Sequence, residues 1–390
     1  MKKLLSHPLC LIAFSVLLFS CDSGEDTVDP SADNEYLVSA ELISSQTQAE
    51  LDTYLESIGF GAFATLTSSD VEAYKVVYNT VDTDGNAITA SGAMIIPTDP
   101  GLYAVHSYQH GTLVDKAQAP SNYVINTEAT TVATAFASIG YVMAVPDYLG
   151  YGETENMDHP FVHANSLARA SHDMLKAVYE FVEDKELSVS DKLYLSGYSE
   201  GGFATMALLK YIEENSDLVV TKCAPGAGPY NITGFAEFIA DQNVEMNFLP
   251  YYLWVLDTYN ELYDLGKDWN YFLTPANAAL VESGGYFAEG LNLNPQELFT
   301  AELLSDLKNG TFPALSAALE ANNLYDWSPV TPIELWHGTT DDFVPYFHSE
   351  DAFEAMSANG ATITLKPVVG GDHFSTPGSY FAGIYTFFRF

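Results

Sequence analysis

Cysteine is scarce in this chain, which has three cysteines among 390 residues. Cys10 lies in a leader-like N-terminal stretch, so the rest of the chain holds Cys21 and Cys223 alone. Two positions cannot build the framework of several disulfides that small secreted domains use. No group of cysteines and histidines has the spacing of a zinc site either. A hydrophobic core must therefore stabilise the fold, and an apolar content of 47% is enough to form one.

Basic residues are also few, with 14 Lys and Arg against 52 Asp and Glu, a formal net charge of −38. Nucleic acid is excluded as a partner, because no basic patch is available to contact phosphates. Such acidity keeps a protein soluble through self-repulsion. A saline habitat and simple drift of a secreted surface explain it equally well, and the charge indicates nothing about chemistry.

The N-terminus has the features of an export signal. Lys2 and Lys3 precede an apolar run at residues 9–19 that is too short to span a bilayer. The run ends in Leu18-Phe19-Ser20-Cys21, which resembles the lipobox of bacterial lipoproteins. This resemblance implies a signal peptide at 1–21, lipidation of Cys21 and a place at the outer membrane or cell surface. The alternative is an ordinary secretory signal, which would give a periplasmic or secreted protein.

The rest of the chain divides by composition. Residues 22–34 are acidic, contain Pro, Gly and Ser, and are typical of a flexible tether. Residues 35–390 are predicted to form one domain. Within it, a segment at about 231–325 is rich in aromatic residues and too long to be a loop. We predict that this segment is a largely helical cap over a sheet, whose aromatic side chains form its own small core and wall a pocket.

Strand-like and helix-like segments alternate through the domain. Strands are predicted at 71–80, 88–96, 102–108, 141–145, 192–195, 218–223, 332–336 and 362–369. Helices are predicted at 130–139, 166–183, 202–215, 349–358 and 380–390. Residues 82–86, Asp-Thr-Asp-Gly-Asn, indicate a hairpin turn. Because antiparallel strands precede βαβ alternation, we predict an α/β fold, a mostly parallel twisted sheet with helices on both faces.

A G-x-S-x-G motif at 197–201 lies between a predicted strand and a predicted helix. A sharp turn at this point projects a serine hydroxyl clear of the backbone, where a base can reach it. The flanking glycines let neighbouring chain pass close to the turn. The positive end of the following helix faces the site, and the Glu200 N–H is placed to bind an oxyanion. The pattern predicts Ser199 as a nucleophile.

Residues 70–390 resemble the α/β-hydrolase superfamily, and within it secretory lipases and related bacterial esterases with a large cap. Members carry a catalytic triad in the order serine, acid, histidine. Residues 337–345, His-Gly-Thr-Thr-Asp-Asp-Phe-Val-Pro, resemble the family's acid loop. The resemblance implies Asp341 as the carboxylate that orients the histidine, with Asp342 as its alternative.

The chain's histidine candidate follows the last predicted strand. Residues 370–374, Gly-Gly-Asp-His-Phe, resemble the loop that carries the family's catalytic histidine. A general base near neutral pH is expected to be histidine, held in one tautomer by a carboxylate. Of the nine histidines, His373 is the one in a Gly-rich loop after the last strand. We therefore predict His373 as the general base.

A second oxyanion donor is expected after an early strand, where the chain has Tyr108-Gln109-His110-Gly111-Thr112. The Thr112 N–H is the favoured donor and Gly111 the next, while a plain turn glycine is the alternative interpretation. His110 is expected to shape the site, and Asp147, in a segment that also resembles the family, is expected to be structural.

These features predict a serine hydrolase that cleaves carboxylic esters through an acyl-enzyme, acting as a lipase or esterase. No metal or cofactor is required. The alternatives are an acetyl or feruloyl esterase acting on polysaccharides, a peptidase, and a catalytically inactive binding module. The expected partner is a small-molecule or lipid ester, with membrane contact through the N-terminal lipid alone, and the chain is expected to be a monomer.

Overall fold

The computed structural model describes residues 27–28, 31 and 34–390. The predicted signal peptide at 1–21, with the proposed lipidation site Cys21, lies outside the described residues, as does most of the predicted tether at 22–34. Within the tether, Thr27–Val28 form a two-residue strand that pairs with the edge of the sheet. Within the described ranges, no helix combines the length and hydropathy needed to cross a membrane.

One sheet of ten strands organises the described residues. In chain order the strands are β1 Thr27–Val28, β2 Leu37–Gln46, β3 Val71–Val81, β4 Ala87–Pro97, β5 Tyr103–Gln109, β6 Tyr141–Pro146, β7 Val189–Tyr198, β8 Lys222–Gly226, β9 Ile333–Gly338 and β10 Ile363–Val368. They lie side by side in the order β1-β2-β3-β4-β6-β5-β7-β8-β9-β10. The pairs from β1 to β4 and the pair β4–β6 are antiparallel. The pairs from β6 to β10 are parallel.

Fourteen α-helices are seen in the part of the chain that the structure describes. They are α1 Gln48–Ser57, α2 Gly61–Ala64, α3 Glu128–Ser138, α4 Ala164–Asp184, α5 Glu200–Asn215, α6 Ile232–Asp241, α7 Leu249–Leu262, α8 Trp269–Phe272, α9 Pro275–Gly284, α10 Pro295–Leu298, α11 Ala301–Asn309, α12 Pro313–Ala321, α13 Phe347–Ala358 and α14 Pro377–Arg389.

The sheet separates two hydrophobic clusters, because successive residues of a strand face opposite sides. On β3, Tyr74 and Val76 join the cluster that includes buried residues of α4, α5 and α13. Ala73 joins the other cluster, with α1, α3 and α14. The predicted α/β architecture, with a mostly parallel sheet and helices on both faces, is therefore confirmed.

The parallel strands end at one edge of the sheet, where the loops that follow them carry the candidate residues. Ser199 follows β7, the segment 110–112 follows β5, and the loops at 339–346 and 369–376 follow β9 and β10. The carboxyl edge of a parallel sheet is where α/β folds bind their ligands.

Seven helices, α6 to α12, lie between β8 and β9. They span the segment in which a cap was predicted at about 231–325. Buried apolar residues of α6, α7, α9, α11 and α12 join the cluster that also holds α4 and α5. This segment is therefore packed onto the sheet domain by a continuous apolar core.

Two element predictions need correction. The strand predicted at 218–223 is wrong in its first four residues, since β8 begins at Lys222 and ends at Gly226. Val219 in that apolar run is 77% exposed. The strand instead includes Ala224-Pro225-Gly226, a sequence of low strand propensity, because pairing with β7 determines where it lies. The second correction concerns residues 37–64, where the sequence gives no predicted element and the structure has β2, α1 and α2.

Candidate active site

Ser199 occupies a sharp turn between β7 and α5. Its backbone has φ +60° and ψ −123°, a left-handed conformation that non-glycine residues rarely adopt. Two backbone hydrogen bonds hold the turn: the Ser199 N–H donates to the Gly226 carbonyl at 2.9 Å, and the Phe203 N–H donates to the Ser199 carbonyl at 3.1 Å. Strain of this kind persists only where surrounding structure enforces it, and it is concentrated at functional sites.

The glycines on either side of Ser199 are required by close packing. A Cβ atom on Gly201 would lie 2.0 Å from the Gln109 carbonyl oxygen at the end of β5. A Cβ atom on Gly197 would lie 2.4 Å from the same oxygen. The G-x-S-x-G spacing therefore lets the turn approach the neighbouring strand closely.

His373 lies in the loop after β10 and contacts both other predicted members of the triad. Its Nε2 is 2.9 Å from Ser199 Oγ, and its Nδ1 is 2.7 Å from Asp341 Oδ2. The Tyr198 hydroxyl donates to the His373 carbonyl at 2.8 Å, and the Phe343 ring stacks on the imidazole at 5.0 Å between centroids. These contacts hold the imidazole between the Ser199 hydroxyl and the Asp341 carboxylate.

Asp341 is the carboxylate that the structure brings to His373. Its Oδ1 accepts hydrogen bonds from the Phe343 and Val344 N–H groups at 3.0 and 2.8 Å. Burial alone would raise the pKa of the Asp341 carboxyl, but hydrogen bonds from His337 and His373 outweigh it and hold that pKa well below its usual value. Asp342, the alternative, is exposed.

His337 is a contact of the site that the sequence analysis missed. It lies in β9, with its Nε2 3.4 Å from Asp341 Oδ2 and 2.8 Å from the Val344 carbonyl oxygen. Its Nδ1 is 2.8 Å from Ser349 Oγ. The available signal was its position in the strand four residues before Asp341, which places both at the same end of the sheet.

The two predicted oxyanion donors lie at the same cavity as the serine. Glu200 is the first residue of α5, so its N–H has no partner within the helix. Thr112 and Glu200 both line the cavity together with Ser199. The Gly111 N–H, the alternative to Thr112, donates to Glu128 Oε1 at 3.2 Å. Since that bond occupies the Gly111 N–H, the geometry favours Thr112.

The side chain of Glu200 was also missed by the sequence analysis. Its Oε1 is 2.8 Å from His159 Nε2, and both side chains are 1% exposed. The His159 Nδ1 is 2.7 Å from the Leu149 carbonyl oxygen. The residue that follows Ser199 therefore belongs to a buried acid–histidine pair.

The remaining predicted residues have structural surroundings. Asp147 accepts from the Ser91 hydroxyl at 2.6 Å and the Ser121 N–H at 2.8 Å, and burial raises the pKa of its carboxyl. His110 Nδ1 is 2.7 Å from the Gly111 carbonyl oxygen and its Nε2 is 3.2 Å from the Asp147 carbonyl oxygen. His110 therefore contacts the backbone that leads to Thr112.

An apolar cavity lies between Ser199 and the helices inserted after β8. Its empty volume is about 550 Å³, part of it open to solvent. Residues in and beside α6 and α7 supply much of its wall: Ile232, Phe235, Phe248, Tyr251, Tyr252 and Val255. Such an apolar lining suits an apolar group.

A second, more open cleft also reaches Ser199 and shares Thr112, Tyr251 and Phe343 with the apolar cavity. Its lining includes Gly111, Glu128, His373, Phe374 and Pro377. Phe374 is 78% exposed at this opening. His373 lines this cleft but is absent from the lining of the apolar cavity. The two spaces therefore differ in chemistry and in their access to the imidazole.

The contact between Asp341 and His373 predicts a large difference between two neighbouring carboxylates. Asp341→Asn should slow labelling of Ser199 by a fluorophosphonate at least about a hundredfold, because an amide no longer holds the imidazole in its reactive tautomer. Asp342→Asn should leave the second-order labelling rate constant within about twofold of wild type. Equal effects of the two substitutions would contradict the assignment of Asp341.

Sequence comparisons find an esterase and a lipase among the proteins similar to this chain. No protein-family model matches the chain. The trichothecene C-3 esterase of Fusarium sporotrichioides is 24% identical over 352 residues, covering 83% of this chain and 76% of that protein. Lipase 6 of Candida albicans is 28% identical over 226 residues, covering 53% of this chain and 45% of that protein.

A solved structure matches almost the whole described chain. The crystal structure of a Legionella pneumophila protein presumed to be a hydrolase is 28% identical, with a TM-score of 0.82, and the match covers 91% of this chain and 98% of that one. The resemblance seen in the sequence is thus confirmed, since the chain is similar in sequence to an esterase and a lipase and similar in fold to a solved hydrolase structure.

Proposed function

We propose that this chain is an exported serine hydrolase that cleaves carboxylic esters through an acyl-enzyme on Ser199. The observation that carries the proposal is the continuous hydrogen-bonded series from Ser199 Oγ through His373 to Asp341. The named relatives, an esterase and a lipase, support the same reaction class.

The proposed reaction begins with proton transfer to His373. A carboxylate can only accept hydrogen bonds, so Asp341 holds the proton of the neutral imidazole on Nδ1 and leaves Nε2 free to accept the Ser199 proton. Ser199 Oγ then attacks the ester carbonyl. The N–H groups of Glu200 and Thr112 stabilise the oxyanion that develops. The imidazolium protonates the leaving alcohol, and water repeats the sequence to release the acid.

The position of His373 supports one orientation of the bound ester. The leaving alcohol must receive its proton from His373 Nε2, so it has to lie on the side of the open cleft that this imidazole lines. The acyl group then occupies the apolar cavity beneath α6 and α7. This orientation favours esters with an aliphatic or aromatic acyl group and places little restriction on the size of the alcohol.

A polysaccharide ester with an aromatic acyl group is a second candidate substrate. The openness of the alcohol side supports it, since a long sugar chain could extend into solvent from the cleft. The aromatic and aliphatic lining of the apolar cavity argues against acetyl esters, because a methyl group would contact few of its side chains. Feruloyl esters therefore fit this alternative better than acetyl esters do.

Rates on a series of p-nitrophenyl esters from acetyl to palmitoyl test the proposal. Wild type should hydrolyse the series, with kcat/KM rising from acetyl to the chain length that fills the cavity and then falling. Ser199→Ala should lower kcat at least about a thousandfold. Ser283→Ala, which removes an exposed hydroxyl from α9, should not change it. Activity that survives Ser199→Ala would refute the proposed nucleophile, and a flat response to chain length would refute the acyl cavity.

Export and lipidation are part of the same proposal, supported by the leader at 1–21 and the motif ending in Cys21. The mass of the mature protein purified from membranes should equal the chain from Cys21 onward plus a diacylglycerol and an acyl group. Cys21→Ala should abolish that added mass. A mature wild-type chain that carries no lipid would leave the ordinary secretory signal as the correct interpretation.

A further inference from the structure

Glu200, the residue after Ser199, forms a buried pair with His159. The hydrogen bonds of this pair define how many protons it holds. The Leu149 carbonyl oxygen can only accept, so the 2.7 Å contact places a proton on His159 Nδ1. The other ring nitrogen, Nε2, is 2.8 Å from Glu200 Oε1. Two bare acceptors would not stay at that distance, so the contact itself contains one proton.

That proton makes the pair neutral overall. If it belongs to the ring, an imidazolium faces a carboxylate; if it belongs to Glu200, a neutral imidazole faces a carboxylic acid. The net charge is zero in both cases. Neutrality matters here because both side chains are 1% exposed, and Glu200 Oε2 has no hydrogen-bond partner among the described residues. An uncompensated carboxylate in such surroundings is strongly disfavoured.

Aromatic rings and a tight backbone contact surround His159. Its ring centroid lies 4.7 Å from that of Tyr151 and 5.6 Å from that of Trp254 in α7. The His159 backbone also passes so close to Gly150 that a Cβ atom there would lie 2.5 Å from His159 Cα. Aromatic rings and a tight backbone contact therefore hold the imidazole against Glu200.

The place of Glu200 connects this pair to the proposed reaction. Glu200 follows Ser199 directly, and its own N–H is a proposed donor to the oxyanion. A net negative charge on its side chain would oppose the negative charge that develops on the substrate oxygen, and a water-poor site screens this repulsion weakly. A neutral pair removes the repulsion while keeping the first residue of α5 in position.

We propose that His159 is a positioning residue of the oxyanion hole, which holds the Glu200 side chain in a net-neutral pair so that this side chain adds no net negative charge next to the developing oxyanion. This inference rests on the proposed function, because it requires an oxyanion to form at Ser199.

A double-mutant cycle on p-nitrophenyl butyrate at pH 8 tests the role of charge. His159→Gln keeps a hydrogen-bond donor near Glu200 but takes away the compensating proton, so kcat should fall about 10- to 100-fold with KM within about threefold of wild type. Glu200→Gln should lower kcat less than His159→Gln does and by no more than about 30-fold, because its amide can donate to the neutral imidazole while the backbone N–H is kept. The double variant should recover the rate of Glu200→Gln. His163→Gln, a buried histidine of the same segment, should match wild type.

Three results would overturn the proposal. The first is a wild-type kcat in His159→Gln, and the second is a double variant no faster than His159→Gln, which would indicate a purely geometric link. The third is a loss of more than about 30-fold in a folded Glu200→Gln, and this test remains decisive if His159→Gln does not fold. Wild-type and Ser199→Ala rates in the same assay report on the proposed function separately: activity abolished by Ser199→Ala upholds that function whichever way the cycle turns out.

Discussion

The turn at Ser199 is the constraint on which the rest of the site depends. A non-glycine residue at φ +60° is held there by a hydrogen bond to β8 and by the close approach of Gly201 to β5. Four structural elements, β5, β7, β8 and α5, thus meet at one turn, and movement of any of them would move the serine hydroxyl. The same turn places the first N–H of α5 beside that hydroxyl, so the proposed nucleophile and one proposed oxyanion donor are positioned together.

The other members of the site come to this turn on separate loops. Asp341 and His373 follow β9 and β10, strands that pair with each other in parallel register from Ile333–Ile363 to Gly338–Val368. Because that register fixes where the two loops leave the sheet, acid and imidazole meet at 2.7 Å. The inserted helices wall the apolar cavity, while the cleft next to His373 is more open. The shape of the site therefore depends on the short loops after β9 and β10 and on the long helical segment between β8 and β9.

Much of this arrangement could be predicted from the sequence, since it depends on local patterns. The alternation of strands and helices, the motif around Ser199 and the two late loops each carry their own signal. Other features depend on contacts between distant segments. β8 begins later than its apolar run suggests because its pairing with β7 determines which residues form the strand. The side chains of β2 are mostly exposed or half-buried, so its sequence lacks a clear strand pattern. The contact His159–Glu200 cannot be predicted without the fold, since it joins residues 41 positions apart. The contact His337–Asp341 has a signal only in the four-residue spacing of the two side chains.

The central claim is that Ser199 carries the acyl group during turnover, and trapping that intermediate tests it most directly. Wild-type enzyme mixed with excess p-nitrophenyl butyrate would be quenched in acid within milliseconds, digested and analysed by mass spectrometry. The account predicts a butyryl group on the peptide that contains Ser199, formed at the rate of the p-nitrophenol burst. A butyryl group on another residue, or full turnover with no acylated peptide at any quench time, would contradict it.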